Sequence, residues 1–310
     1  MILYYHNIDE EKINMDRIIN YIFHETEKMT TLNDLLIKEG FSSAILTKLR
    51  KDSSFSLINN QPSFLNTPLK DGDHIRINII EEAASAKIPP SDLQFEIIYE
   101  DEDILVVNKP CDMPIHPSLN NYTNSLANGV VHYYRNETSP FVFRCVNRLD
   151  RDTTGITIIA KNLLASSILS SSIRDGHIHR TYYAIVEDSC INPISKSGTI
   201  NAPISRVTNS TIERCVDFEN GESAITHYSL LTRKDNLALL EINLETGRTH
   251  QIRVHFKHIG HPLIGDFLYN PSNVLMKRQA LHAGDFTIMH PTKKEVMHFH
   301  APLPNDFIIS

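Results

Sequence analysis

The chain has 310 residues, 41% hydrophobic and 22% charged, enough to bury one large domain or a catalytic domain with a small companion. No apolar run is long enough to span a bilayer, and the start from Met1 to Asn7 lacks the basic residues of a secretory signal, which predicts a cytoplasmic protein with no membrane partner. The formal charge of −7 excludes a uniformly basic nucleic-acid binder, although a groove can gather cations while acids lie elsewhere.

Residues 11–28 carry an apolar helical pattern between charged flanks and read as an insertion. Thr31 to Glu39 predicts a short helix stopped by Gly40, and Ser42 or Ser43 caps a second helix running through Arg50. Ser56 to Pro62 reads as strand then turn, Leu69 to Ile77 as turn then strand. Small residues and the Pro89-Pro90 pair mark 81–92 as a linker between a unit of residues 1–80 and one of residues 93–310.

Beyond the linker, Phe95 to Tyr99 and Ile104 to Asn108 form a hairpin around the acidic turn Glu100 to Asp103. Strands follow at Gly155 to Ala160, Tyr182 to Glu187, Ala224 to Leu231, Leu237 to Glu245 and Leu281 to Met289. Helical spacing covers Leu163 to Ile173, and again Thr249 to Ile259, where Ile252, Phe256 and Ile259 share the buried side and Gly260 is the stop. Many strands with few helices predict an α+β domain. Cys111, Cys145, Cys190 and Cys215 lie far apart, so neither a zinc knuckle nor a redox dithiol is encoded.

Two runs carry the chemistry. Val146-Asn147-Arg148-Leu149-Asp150-Arg151-Asp152-Thr153-Thr154-Gly155 sets a carboxylate between two arginines and ends on a residue suited to a tight turn. Thr246-Gly247-Arg248-Thr249-His250-Gln251-Ile252-Arg253-Val254-His255 supplies another arginine pair about a hundred residues later. Together they resemble the signature of the RluA-type pseudouridine synthases, with Asn147 where that family usually has His and Thr154 where it usually has Ser. His179 to Val186, Ile104 to Pro114 and Gly260 to Tyr269 extend the resemblance, which runs from about Phe95 to Pro304. Residues 31–77, with "Ile58-Asn59-Asn60-Gln61-Pro62" and "Leu69-Lys70-Asp71-Gly72-Asp73", resemble the alpha-L RNA-binding motif.

The resemblance implies a mixed, mainly antiparallel sheet with flanking helices and a central cleft, preceded by a small α/β RNA-binding domain. It implies Asp150 as the catalytic carboxylate, attacking the ribose or the base or taking a ribose proton on a route through a glycal. Arg253 is its implied cationic partner, and Tyr182 the tyrosine whose ring stacks on uracil. Strand alternation sets Tyr182 and Ala184 on one face and Tyr183 on the other. Arg148 would enter the gap left by a flipped nucleotide, Asn147 would meet RNA, and Arg248 would meet phosphate or loop backbone. Lys48, Arg50 and Lys51 would face RNA from the second helix, or simply form a solvated helix end favoured by the macrodipole. Asp152 reads as a solvated surface position.

The implied activity is a stand-alone isomerase, by default monomeric, needing no guide RNA, metal or organic cofactor. Its implied partner is RNA, with large-subunit ribosomal RNA ahead of transfer RNA. Two other readings compete. His255, His258 and His261 have ligand-like spacing without an acidic or thiol partner, and an RNA-binding assembly factor could retain the fold while dispensing with catalysis.

Overall fold

The computed structural model describes residues 17–24, 30–79, 81, 87–136 and 141–307. Strands β1 (Arg17–Ile22), β2 (Ser56–Ile58), β3 (Gln61–Pro62) and β4 (His74–Ile79) form an antiparallel sheet in the order β1-β4-β2-β3. Helix α1 (Leu32–Lys38) starts where the Thr31 hydroxyl accepts the Asp34 N–H and the Asp34 carboxylate accepts the Thr31 N–H in return. Helix α2 (Ser43–Lys51) is capped by Ser42 and ends on Lys48, Arg50 and Lys51. Leu32, Leu36, Ile75 and Ile77 fill the space between these helices and the sheet.

The larger sheet takes β5 (Glu96–Glu100), β6 (Ile104–Lys109), β7 (Thr154–Ala160), β8 (His179–Glu187) and β9 (Ser197–Asn201). After a separate hairpin of β10 (Ile204–Arg206) and β11 (Arg214–Val216), it resumes with β12 (Ile225–Lys234), β13 (Leu237–Leu244), β14 (Leu281–Met289) and β15 (Val296–His300). Its order is β5-β6-β7-β14-β8-β13-β12-β9, with β15 beside β14. Helix α3 (Leu126–Tyr133) buries Leu126 and Val130 in an apolar cluster with Leu105 and Val107 of β6. Helix α4 (Leu163–Arg174) packs on β7, and α5 (Gln251–His258) on β11 and β12. This is the α+β architecture expected.

Pairings among the described strands are antiparallel except that of β7 with β14, where His282 lies beside Thr154 and Ala283 beside Gly155. That one parallel contact brings the chain leaving the Asp150 loop hard against β14. Gly155 has φ +111°, and a Cβ there would stand 2.2 Å from the Ala283 carbonyl oxygen. Gly155→Ala therefore adds a backbone clash to left-handed strain, and should cost about 3 kcal/mol or more in urea unfolding. An unchanged midpoint would mean that the two strands separate more easily than their packing implies.

Several elements depart from the sequence reading. Residues 17–22 of the supposed insertion are strand β1, paired along its length with β4, while 11–16 and 25–28 lie outside the described residues. The expected linker is described only at 81 and 87–92. There Glu81, 5% exposed, pairs with Arg144 at 2.7 Å. Helix α5 starts at Gln251 and not Thr249, because His250 takes a left-handed conformation (φ 59°). Helix α3 was missed: its capping box uses Asn128 where the usual signature has Glu or Gln.

The two sheets are tied directly. Leu163, Leu164 and Ile168 of α4 pack into the core of the smaller sheet, and the Ser167 hydroxyl donates to the Gly40 carbonyl at 3.0 Å. Arg17 of β1 grips Asp103 through Nε at 2.9 Å and Nη2 at 3.1 Å. Asp103, 1% exposed, also accepts from Asn162 at 2.8 Å, so its burial is compensated. Burial pushes the Asp103 carboxyl up, but these partners hold it below the usual range.

Candidate active site

A cleft of about 740 Å³, within the usual span of ligand sites, opens between the Asp150 loop, β8, the end of β13 and the start of α5. Five arginines line it, Arg148, Arg174, Arg180, Arg248 and Arg253, against two acids, Asp150 and Glu245. The local field of this cleft is therefore positive in a chain whose sum is −7, so the acidic average and an anionic substrate are compatible.

Asp150 stands on the loop entering β7, its side chain 24% exposed. Arg253 donates from Nη1 to its Oδ2 at 2.8 Å. The other face of the same guanidinium is spent on Asp266, with Nε to Oδ2 at 2.7 Å and Nη2 to Oδ1 at 2.8 Å. Asp266, 0% exposed, also accepts the backbone amides of Leu268 and Tyr269. Burial alone would raise the Asp266 carboxyl; the Arg253 pair and these amides hold it low. Burial also works against the Arg253 charge, which Asp266 and Asp150 more than restore. One rigid fork thus spans a buried anchor and a carboxylate facing the cleft.

Tyr182, 5% exposed, lies on the cleft face of β8 with its ring edge-on to Phe286 at 6.4 Å. Burial pushes its phenol up, so the neutral hydroxyl is the stable form. Tyr183 faces the other way and donates to Asp285 at 2.9 Å, as alternation requires.

The Asp150 loop is held from several sides. Lys109, fully buried at the end of β6, donates to the carbonyls of Pro110 and Met113 at 2.8 Å and of Arg151 at 2.9 Å. Burial pulls its ammonium down to about 7, against the Asp152 and Asp150 charges, which act to raise it. Lys109→Met would remove the donor from the buried Met113 carbonyl and from the partly buried Pro110 and Arg151 carbonyls, leave an apolar chain among them, and free the loop backbone next to Asp150. We expect a loss of about 3 kcal/mol or more in chemical unfolding, with kcat falling more than RNA affinity. Wild-type stability in this variant would contradict that account.

Asn147, expected to meet RNA, lines the cleft, but its amide is engaged by the protein itself. It is 4% exposed, donates to the Ile156 carbonyl at 3.0 Å and accepts the Ile158 N–H at 2.9 Å. The amide substitutes for missing sheet partners on β7 and pins the loop to that strand. Asp152 is likewise not solvated: it is 7% exposed and paired with Arg151 at 2.9 Å, because the loop is wedged against the segment after β6. Arg248 donates to the Ser223 carbonyl at 3.0 Å and meets Glu222 at 2.5 Å, the loop-backbone option. Arg148 is exposed on the cleft and has no hydrogen bond or ion pair among the described residues. Lys48, Arg50 and Lys51 are far along the sequence from the cleft residues and do not line it; Arg50 meets Asn33 at 3.0 Å.

Residues that the sequence reading left without roles also converge here. The Tyr269 hydroxyl accepts the Arg214 N–H at 2.9 Å and shares a hydrogen bond with His250 Nδ1, 2.8 Å away. His250 Nε2 stands 3.9 Å from Asp150 Oδ1, and burial lowers the ring's pKa, favouring the neutral imidazole. Gln251 closes the Thr246–Arg248 turn, its Oε1 accepting from Thr246 and from the Arg248 N–H. His255 places its ring nitrogens on Thr226 and the Ala202 carbonyl, so it offers no ligand to a metal. Among the described residues, Asp101, Asp103 and His290 gather ligand atoms within 4.8 Å of one another, away from the cleft. Arg17, Lys293 and Thr292 already occupy those carboxylates.

The structure is similar to a solved human protein, RNA Pseudouridylate Synthase Domain Containing 1, with TM-score 0.56, 26% identity, and coverage of 69% of this chain and 85% of that one. The fold class is thereby that of the pseudouridylate synthase domain. Residues 103–258 match the family model described as RNA pseudouridylate synthase. The RNA pseudouridine synthase YjbO of Bacillus subtilis (strain 168) is 39% identical over 86% of this chain and 93% of its own length. Ribosomal large subunit pseudouridine synthase D of Pasteurella multocida (strain Pm70) is 36% identical over 89% of this chain and 88% of its own. The chain belongs to the RNA pseudouridylate synthase family, in its RluA-type branch, and is an RNA-directed isomerase. Among the described residues no helix is long and apolar enough to cross a membrane.

Proposed function

We propose that this enzyme flips chosen uridines of structured large-subunit ribosomal RNA into the arginine-lined cleft and isomerises them there, with Asp150 as the essential carboxylate. The observation that carries the reading is the Asp150–Arg253 contact of 2.8 Å on the floor of that cleft. The bond from ribose C1′ to uracil N1 breaks, the base turns, and C1′ bonds to C5; the C5 proton is lost and N1 ends protonated. No electron pair leaves the system, so no redox group is called for.

Each residue has one task in this scheme. Arg253 directs Asp150 and leaves Oδ1 toward the cleft. Tyr182 offers a neutral ring and hydroxyl to the base. Arg148, exposed and unspent, fills the stack after the nucleotide leaves, offsetting part of a flipping cost of a few kcal/mol. The unit before residue 81, with Lys48, Arg50 and Lys51 ending α2, holds RNA outside the cleft. A relative of 36% identity named for the large ribosomal subunit supports the choice of substrate. Mapping pseudouridines in total RNA from cells with and without the gene tests it: sites should vanish from large-subunit ribosomal RNA. Loss confined to transfer RNA would overturn that substrate and leave the chemistry intact.

A further inference from the structure

Most of the cleft arginines have their donors taken by the protein. Arg253 serves Asp150 and Asp266, Arg248 serves Glu222 and Ser223, and Arg174 serves Ser171 and Asp175. Arg180 differs. It lies two residues before Tyr182 on the same face of β8, lines the same cleft, and is only partly exposed. Its Nε is buried without any hydrogen-bond partner, and its guanidinium makes no hydrogen bond or ion pair with a described residue. The turn at Gly247 closes over it: a Cβ there would stand 3.3 Å from Nη1. A guanidinium stripped of part of its water and given no anion is costly, and the fold keeps it beside the substrate tyrosine.

We propose that Arg180 is a substrate-binding residue whose planar fork holds a phosphodiester flanking the flipped uridine while Tyr182 contacts its base. Strand geometry sets the two side chains about 6.6 Å apart along one face, the scale of a single nucleotide from base to backbone. Phosphate is the anion that RNA supplies at every residue, and a planar fork binds two of its oxygens at once. Arg180 thus differs from Arg148, whose exposed side chain is free to enter the stack. The assignment rests on the reading of Asp150 and Tyr182 given above.

The test measures binding of the Asp150→Asn enzyme, with chemistry switched off, to a synthetic RNA hairpin bearing the mapped uridine. Arg180→Met should weaken binding about tenfold and lower the slope of log affinity against log salt by roughly 0.7 to 0.9. Arg180→Lys, which keeps the charge and loses the fork, should recover most of the slope and part of the affinity. A single uncharged methylphosphonate placed 5′ or 3′ to the uridine should reproduce the loss at one of the two positions and add little to Arg180→Met. The loss measured in Asp150→Asn alone needs no variant at Arg180, so where Arg180→Met folds poorly, no loss at either position would overturn the assignment. An unchanged salt slope in Arg180→Met, or methylphosphonate losses that simply add to it, would overturn the phosphate assignment. Turnover persisting in Asp150→Asn would instead sink the underlying reading, so the two failures are separable.

Discussion

Asp150→Asn should abolish pseudouridine formation, by about 10⁴-fold or more in single-turnover rate, while RNA affinity and thermal melting stay near wild type. The substitution preserves shape and leaves an oxygen that can accept from Arg253 Nη1, but removes the negative charge that both the covalent and the glycal routes need. The fold is spared because Arg253 remains anchored to Asp266 through two hydrogen bonds of 2.7 and 2.8 Å. Quantifying pseudouridine in a transcript of large-subunit ribosomal RNA, beside a melting curve and a binding isotherm, checks all three statements. Retained turnover would remove Asp150 from the chemistry.

Arg253→Met is expected to be worse for the protein and nearly as severe for the reaction. It strips the cation from Asp266, which is fully buried, and breaking such a pair typically costs about 3–5 kcal/mol. It also releases Asp150. The pH dependence should change sign. In the wild type the Asp266 carboxyl is held below its unfolded value, near 4, so its contribution is complete above that pH and is lost as pH falls through the folded value. Without Arg253, burial dominates and lifts the folded carboxyl above the unfolded one. The folded state then binds the extra proton, and stability should rise as pH falls from 7 toward 5. Urea unfolding at several pH values reads this directly. Pairing Arg253→Met with Asp266→Asn should restore much of the stability and none of the activity; recovery of activity would mean that Arg253 acts only through the fold.

Much of the scaffold was legible in the chain. Thr31 and Ser42 announced helix starts, Gly40 and Gly260 helix stops, and β6, β7 and β14 appeared at close to their observed bounds. These signals are local: a cap or an alternating strand is readable within a few residues. Strand β1 and helix α3 were not readable, because β1 takes its conformation from pairing with β4 and α3 is capped through Asn128.

The candidate site divides along the same line. Asp150, Tyr182 and Arg253 could be named from their motifs, and the structure brings all three to one cleft. Asn147 and Asp152 sit in the same motif, yet their burial could not be seen there; it follows from the fit of the loop between β7 and the segment after β6. Lys109, Asp266 and Tyr269 likewise lay in quoted blocks without roles, since a buried ammonium or carboxylate gains meaning only from the groups packed around it.

By itself, then, the order of residues determined the family and pointed to one carboxylate and the arginine that pairs with it, because those are written as residue types at set spacings. Only the tertiary structure decided which cleft arginines are already paired and which have no partner among the described residues. Ion pairing depends on distance in space, and the decisive contact, Arg253 to Asp150, closes over 103 positions of chain.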